Sequence, residues 1–162
     1  MKLADVTKDN WIDVLHLTTN EDGIPTLIEK YVASVAASMV QSQFQQGWVT
    51  KALEHEGQLV GFTMYRYDEE HQAYVLCRLM IDRKYQGNGL GTKALTLILN
   101  EMRNSKGNTE VFLSTEPDNI VAKHIYEKVG FVPQNEKWDH EERNSSQRVF
   151  CLGGGNWRTT LV

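Results

Sequence analysis

Apolar residues recur along this chain in two periods, and the switches between them outline a mixed fold. Residues 2–7 alternate enough for a short first strand. Residues 9–18 place Trp11, Val14, Leu15 and Thr18 on one helical side, with Asp9 or Asn10 as cap. Residues 25–44 open with Pro25, suited to a first helical turn, and continue with helix formers, predicting one long second helix. Residues 48–67 form two strands around Glu56-Gly57-Gln58, a hairpin signal. Residues 73–82 are nearly all apolar, as expected of a central strand covered on both faces. Helical spacing returns over 92–104 and stops at Lys106-Gly107. A buried strand over 109–115, a helix over 118–130 closed by Gly130, and two final strands over 131–140 and 147–152 complete the series.

The junction between the central strand and the third helix carries the first candidate chemistry. Gly87, Gly89 and Gly91 stand at alternate positions just before the helix. Glycine there sacrifices conformational entropy, so bare backbone must serve a purpose. The first amides of a helix lack internal partners and point outward, and the helix dipole adds positive charge, so strand, glycine turn and helix start together suit a phosphate. The pattern is no P-loop, because Gly91 is followed by Thr92 where lysine is needed, and no dinucleotide fingerprint, which needs glycine at position 92.

Composition narrows the classes. The 162 residues fit one domain over 1–152, with the glycine-rich stretch 153–162 expected as a flexible tail. A net charge of −4 argues against a nucleic-acid binder. Cys77 and Cys151 lie in apolar runs and read as reduced core thiols, and no apolar run approaches the ~20 residues of a membrane span. With no signal peptide evident, a cytoplasmic protein is expected. His16, His55, His71, His124 and His140 show no metal spacing, so no metal is assigned.

Two motifs in the right order give the glycine turn a context. Gln86-Gly87-Asn88-Gly89-Leu90-Gly91 resembles the [QR]-x-x-G-x-[GA] loop of the GNAT superfamily of acyl-CoA-dependent N-acyltransferases. Downstream, Asn119, Ala122, Tyr126 and Gly130-Phe131 resemble that family's second motif. The resemblance implies an α/β (α+β) fold: a mixed, mostly antiparallel sheet of about seven strands with about four helices. It implies acetyl-CoA as co-substrate. The backbone of Gln86, Gly87, Asn88, Gly89, Leu90, Gly91 and Thr92 would cradle the pyrophosphate. Leu79, Met80 and Ile81, on a strand splayed from its neighbour, would bind the pantetheine arm, and the Met80 amide would polarise the thioester carbonyl. Asn119 and Ala122 would lie along the cofactor, and Tyr126 would be the general acid, since a phenol with pKa ~10 keeps a proton to give at neutral pH.

The base is less defined. Some families use a Glu on the fourth strand, where this chain has Cys77 and Arg78; Asp82, Glu116 and Asp118 are the nearby carboxylates in sequence. Acidic residues cluster at Glu69 and Glu70, and again at Glu136, Asp139, Glu141 and Glu142 beside Trp138. Carboxylates attract a polycation and aromatic faces stack on ammonium groups, so Glu69, Glu70, Asp82, Glu116, Trp138, Asp139 and Glu141 are candidate acceptor-binding residues. Similarity to bacterial polyamine acetyltransferases points to spermidine or spermine. Alternatives are another small amine, a protein N-terminus, or a non-catalytic acyl-CoA-binding sensor. Members of that superfamily often form homodimers, which makes the last strands and the tail a candidate interface.

Overall fold

The computed structural model describes residues 1–107, 109–134 and 148–153. Seven strands form one sheet: β1 (Lys2–Asp5), β2 (Val49–His55), β3 (Gln58–Asp68), β4 (Ala73–Ile81), β5 (Glu110–Thr115), β6 (Val132–Pro133) and β7 (Arg148–Leu152). The spatial order is β1-β2-β3-β4-β5-β7-β6. Every pairing is antiparallel except β4 with β5. The helices are α1 (Trp11–Leu15), α2 (Val35–Phe44), α3 (Leu90–Lys106) and α4 (Ile120–Val129). The expected architecture and element order are therefore present.

The parallel pair requires a crossover, and α3 supplies it. Its buried side, including Ala94, Leu95, Ile98, Leu99 and Met102, repeats at helical spacing. With Tyr126 and Val129 of α4 it packs on Leu76, Leu113, Phe131 and Phe150. On the opposite face Val14 of α1, Leu17 just after it and Val35 of α2 are buried against Phe62, Met64 and Met80. The sheet is thus covered by α3 and α4 on one face and by α1 and α2 on the other.

Two expected helices are shorter than the spacing suggests. Residues 25–34 are not helical. Glu29 is 4% exposed, and its carboxylate accepts from Thr18 Oγ1 (2.7 Å), Thr19 N (2.6 Å) and the Thr19 hydroxyl. Its own amide donates to Val32 O, and Ile28 pairs with Ala33, folding the segment back on itself. Ser34 then caps α2 by accepting from Ala37 N. A buried carboxylate must keep its donors, and that requirement overrides the helix propensity of 25–34. Likewise α1 spans only Trp11–Leu15. Asn10 stands at its N-cap position without a capping bond, and its side chain instead joins Thr7 N and Asp5 O.

Candidate functional site

The register of β4 creates the site. Its parallel pairing with β5 covers only Ala73–Leu76 against Glu110–Leu113. Beyond Leu76 a bulge at Cys77 shifts the β3 register from Tyr65↔Leu76 to Met64↔Arg78, while β5 continues beside β7. The two central strands therefore part, and 77–81 has no strand on its β5 side among the described residues.

Which groups face this split follows from the strand's phase. Asp82 N donates to Val60 O in β3. A methyl placed on Gly61 would lie 2.2 Å from the Met80 carbonyl oxygen, so that carbonyl also points at β3. Peptide groups alternate in direction along a strand, so Leu79 and Ile81 present N–H and C=O to the open side. The expectation for Met80 is corrected here: its peptide groups are turned into the sheet, and Leu79 and Ile81 flank it with the outward ones.

The strand runs directly into an anion-binding turn. Asp82 caps a single 3-10 turn, Arg83–Tyr85, by accepting from Lys84 N (2.9 Å). Gln86 Nε2 donates to Ile81 O (2.9 Å), and Asn88 Nδ2 donates to Tyr85 O and Gln86 O. These bonds hold the loop without using the helix amides. Gly87 (φ +81°) and Gly89 (φ +70°) are left-handed, and a side chain on either would project into open space. Gly89 stands at the N-cap of α3 with no side-chain cap, and the first helical bond is Lys93 N to Gly89 O. The amides of Leu90, Gly91 and Thr92 are left for an incoming acceptor. Gly91 serves packing, since a methyl there would touch Ile125 of α4 at 3.0 Å. Gly89→Ala is expected to weaken coenzyme A binding about tenfold, since a left-handed alanine costs roughly 1–2 kcal/mol and shifts the helix start. Calorimetric titration checks this, and an unchanged affinity would remove the loop from the binding site.

Helix α4 supplies the remaining groups. Asn119 Oδ1 caps the helix by accepting from Ala122 N (3.2 Å), which leaves Nδ2 without a partner among the described residues. Ala122 and Tyr126 are four residues apart, on one helical side. The Tyr126 ring lies 6.0 Å from Phe131 and 5.7 Å from Phe150, centroid to centroid, and packs on the same cluster as Leu79. Its hydroxyl has no hydrogen-bond partner among the described residues. Burial pushes the Tyr126 phenol up to about 12.

The acidic candidates separate by position. Glu69 and Glu70 lie at the β3–β4 turn, where β4 begins. The split is at its far end, roughly 20 Å along the strand at ~3.3 Å per residue. They do not line the site, and Glu69 pairs with Lys106 at 3.2 Å. The sequence signal was real acidity at a hairpin tip, where charge is solvated. Asp82 is 4% exposed, with Oδ2 accepting from Thr18 N (3.1 Å) and Oδ1 from Lys84 N. It fastens the α1–α2 loop to the end of β4. Half-buried Glu116 follows β5 at the open end, next to exposed Asp118. Trp138, Asp139 and Glu141, with Glu136 and Glu142, lie outside the described residues, as does the tail beyond Gly153.

Sequence reasoning missed three features. Gly61, an isolated glycine within an apolar strand, signals a close backbone approach. Glu29 and Thr18 carry no local pattern that marks them. Tyr31 donates its hydroxyl to Asp118 Oδ2 (3.3 Å) across 87 residues of sequence, joining the α1–α2 loop to the segment before α4. Among the described residues no group of three His, Cys, Asp or Glu can hold a metal, and no helix is long and apolar enough to cross a membrane.

Residues 13–131 match the model of the acetyltransferase (GNAT) family. The spermine/spermidine N(1)-acetyltransferase of Bacillus subtilis is 30% identical over 137 residues, covering 81% of this chain and 87% of that protein. Among solved structures, a spermidine N-acetyltransferase SpeG chimera from Vibrio cholerae and hSSAT has a TM-score of 0.71 at 13% identity, covering 97% of this chain and 98% of that one. An aminoglycoside acetyltransferase in complex with coenzyme A has a TM-score of 0.69 at 18% identity, covering 94% of each chain. Both structural likenesses concern the fold.

Proposed function

The chain belongs to the acetyltransferase (GNAT) family, and from that premise we propose that it transfers acetyl from acetyl-CoA to a primary amine of a polyamine such as spermidine or spermine. The observation that supports the cofactor half is the uncapped α3 start beside the open side of β4. A diphosphate fits the free amides of Leu90 to Thr92, and an extended amide-bearing arm fits the outward groups of Leu79 and Ile81 as an added strand would. Acetyl-CoA supplies an acetyl group activated as a thioester.

The residues divide the work. The Leu79 N–H, fixed by the strand, donates to the thioester carbonyl oxygen as charge develops there. Tyr126 gives its phenolic proton to the sulfur as the C–S bond breaks. The amine nitrogen forms the new C–N bond from the α1/α2 side, since α3 and α4 cover the cofactor's side. Its surplus proton passes to water. Asn119 Nδ2 binds the pantetheine region in this reading.

The polyamine half rests on the Bacillus relative's printed activity and on local charge: Glu116 and Asp118 stand at the open end of β5, with the Tyr31 hydroxyl bonded to Asp118. A thiol-release assay with acetyl-CoA tests it against spermine, spermidine, putrescine, lysine, an aminoglycoside and a peptide with a free N-terminus. Turnover confined to polyamines is expected. Turnover of another amine alone would replace the acceptor and keep the chemistry. Coenzyme binding with no turnover would favour a sensor.

A further inference from the structure

We infer that Arg78 is a positioning residue that keeps the attacking amine in its neutral form and turns the acceptor's charged remainder outward, toward Glu116 and Asp118. This rests on the amine acetyl transfer proposed above.

Arg78 is the residue immediately before Leu79, at the point where β4 leaves β5. The bulge at Cys77 directs its guanidinium to the α2 side of the sheet. Nη2 donates to Gln41 Oε1 of α2 at 3.3 Å. Nη1 donates to Cys77 O at 3.0 Å and to Cys77 Sγ at 2.7 Å. The Nε–H is buried without a partner among the described residues. No carboxylate pairs with this half-buried guanidinium among those residues. On this face β3 presents Met64 and the charged Arg66, stacked over the Trp48 ring, while α2 presents Gln41 and β4 presents Cys77. Glu116 and Asp118 stand beyond the end of β5.

Guanidinium stays charged at any working pH. The face it occupies is opposite α3 and α4, from which an amine must approach a thioester held on their side. An alkylamine with pKa about 10.4 is almost wholly ammonium at neutral pH and cannot attack in that form. A carboxylate at this position would hold the ammonium and then have to remove its proton. A fixed positive charge acts the other way: it disfavours the cation at the reacting nitrogen, so the proton leaves to water before attack. The repulsion acts equally on the other nitrogens of a polyamine, which places them beyond the reach of Arg78 and near the two carboxylates. The outcome is one neutral nitrogen inward and its charged partners outward.

The test compares the pH dependence of kcat at saturating amine, for the best amine, in the wild type, Arg78→Gln and Arg78→Lys, since kcat reports groups in the bound complex, with coenzyme A affinity measured by calorimetry for each. For a charge about 6 Å away at an effective dielectric near 40, between the near-surface and bulk-water values, the ascending limb of Arg78→Gln should move up by about one pH unit. That is about a tenfold lower kcat at pH 7, converging with the wild type above the amine's own pKa. Arg78→Lys should keep the wild-type limb, and coenzyme A affinity should be unchanged in both. Coincident limbs, or an equal drop at every pH, would overturn the inference while leaving amine acetylation standing. Failure of the wild type to acetylate any amine would overturn both readings together.

Discussion

Tyr126→Phe is expected to lower kcat by about 100- to 10,000-fold while leaving coenzyme A affinity within a factor of about two. The ring lies between Phe131 and Phe150, and phenylalanine keeps that shape. The hydroxyl has no partner among the described residues, so its removal leaves no buried group unsatisfied and the melting temperature should barely move. Loss of turnover with binding intact would assign the hydroxyl to the proton path. Undiminished kcat would remove it from that path. The pH dependence gives a second check. The ordinary phenol value is 10, and burial raises Tyr126 to about 12. The fold therefore favours the neutral phenol. That contribution to stability is complete below pH 10 and fades as pH rises through about 12. The rate should accordingly show no falling limb below pH 10. A limb near pH 8 that vanished in Tyr126→Phe would contradict the raised value.

Gly61→Ala is expected to be the most damaging single methyl addition in the sheet. The new carbon would sit 2.2 Å from the Met80 carbonyl oxygen and 3.0 Å from Leu53 Cδ1. A leucine end can rotate away, but a backbone oxygen in a central strand cannot. Overpacking of this kind costs about 1–3 kcal/mol, and a backbone clash belongs at or above the upper end. Moving Met80 away from β3 also displaces Leu79 and Ile81, whose outward groups are proposed to meet the cofactor. Chemical denaturation should show the loss of stability, and acetyl-CoA turnover should fall further than the unfolded fraction accounts for. Full activity in the folded fraction would mean that β4 relaxes without moving its open side.

The layout was largely legible because its signals are local. A nearly continuous apolar run marked β4 as central, helical spacing marked α3, and alternate glycines before an uncapped helix marked an anion site. The exact donors in the split were not legible. Whether Met80 or its neighbours face outward depends on the phase set by Gly61 and Val60 in another strand, and a shift of one residue reverses every peptide. The α1–α2 loop failed for a related reason. Residues 25–34 have good helix propensity, but Glu29 is claimed by Thr18 and Thr19, and Thr18 by Asp82 64 positions later. The hairpin acids misled because charge composition says nothing of which end of a strand it occupies. Glu69 and Glu70 precede β4, whereas the site lies where β4 ends.

The parting of β4 from β5 has a consequence for solubility. The outward N–H and C=O groups of Leu79 and Ile81 form a sheet edge in the middle of the sheet, and any unpaired edge is a template for a strand from another chain. Several features blunt it: the bulge at Cys77 twists it, Gln86 covers the Ile81 carbonyl, and helices flank both faces. The ligand proposed for this edge would then compete with self-association for the same hydrogen bonds. Concentrated protein should stay dispersed longer with coenzyme A than without it, making the coenzyme a guard against aggregation as well as a co-substrate.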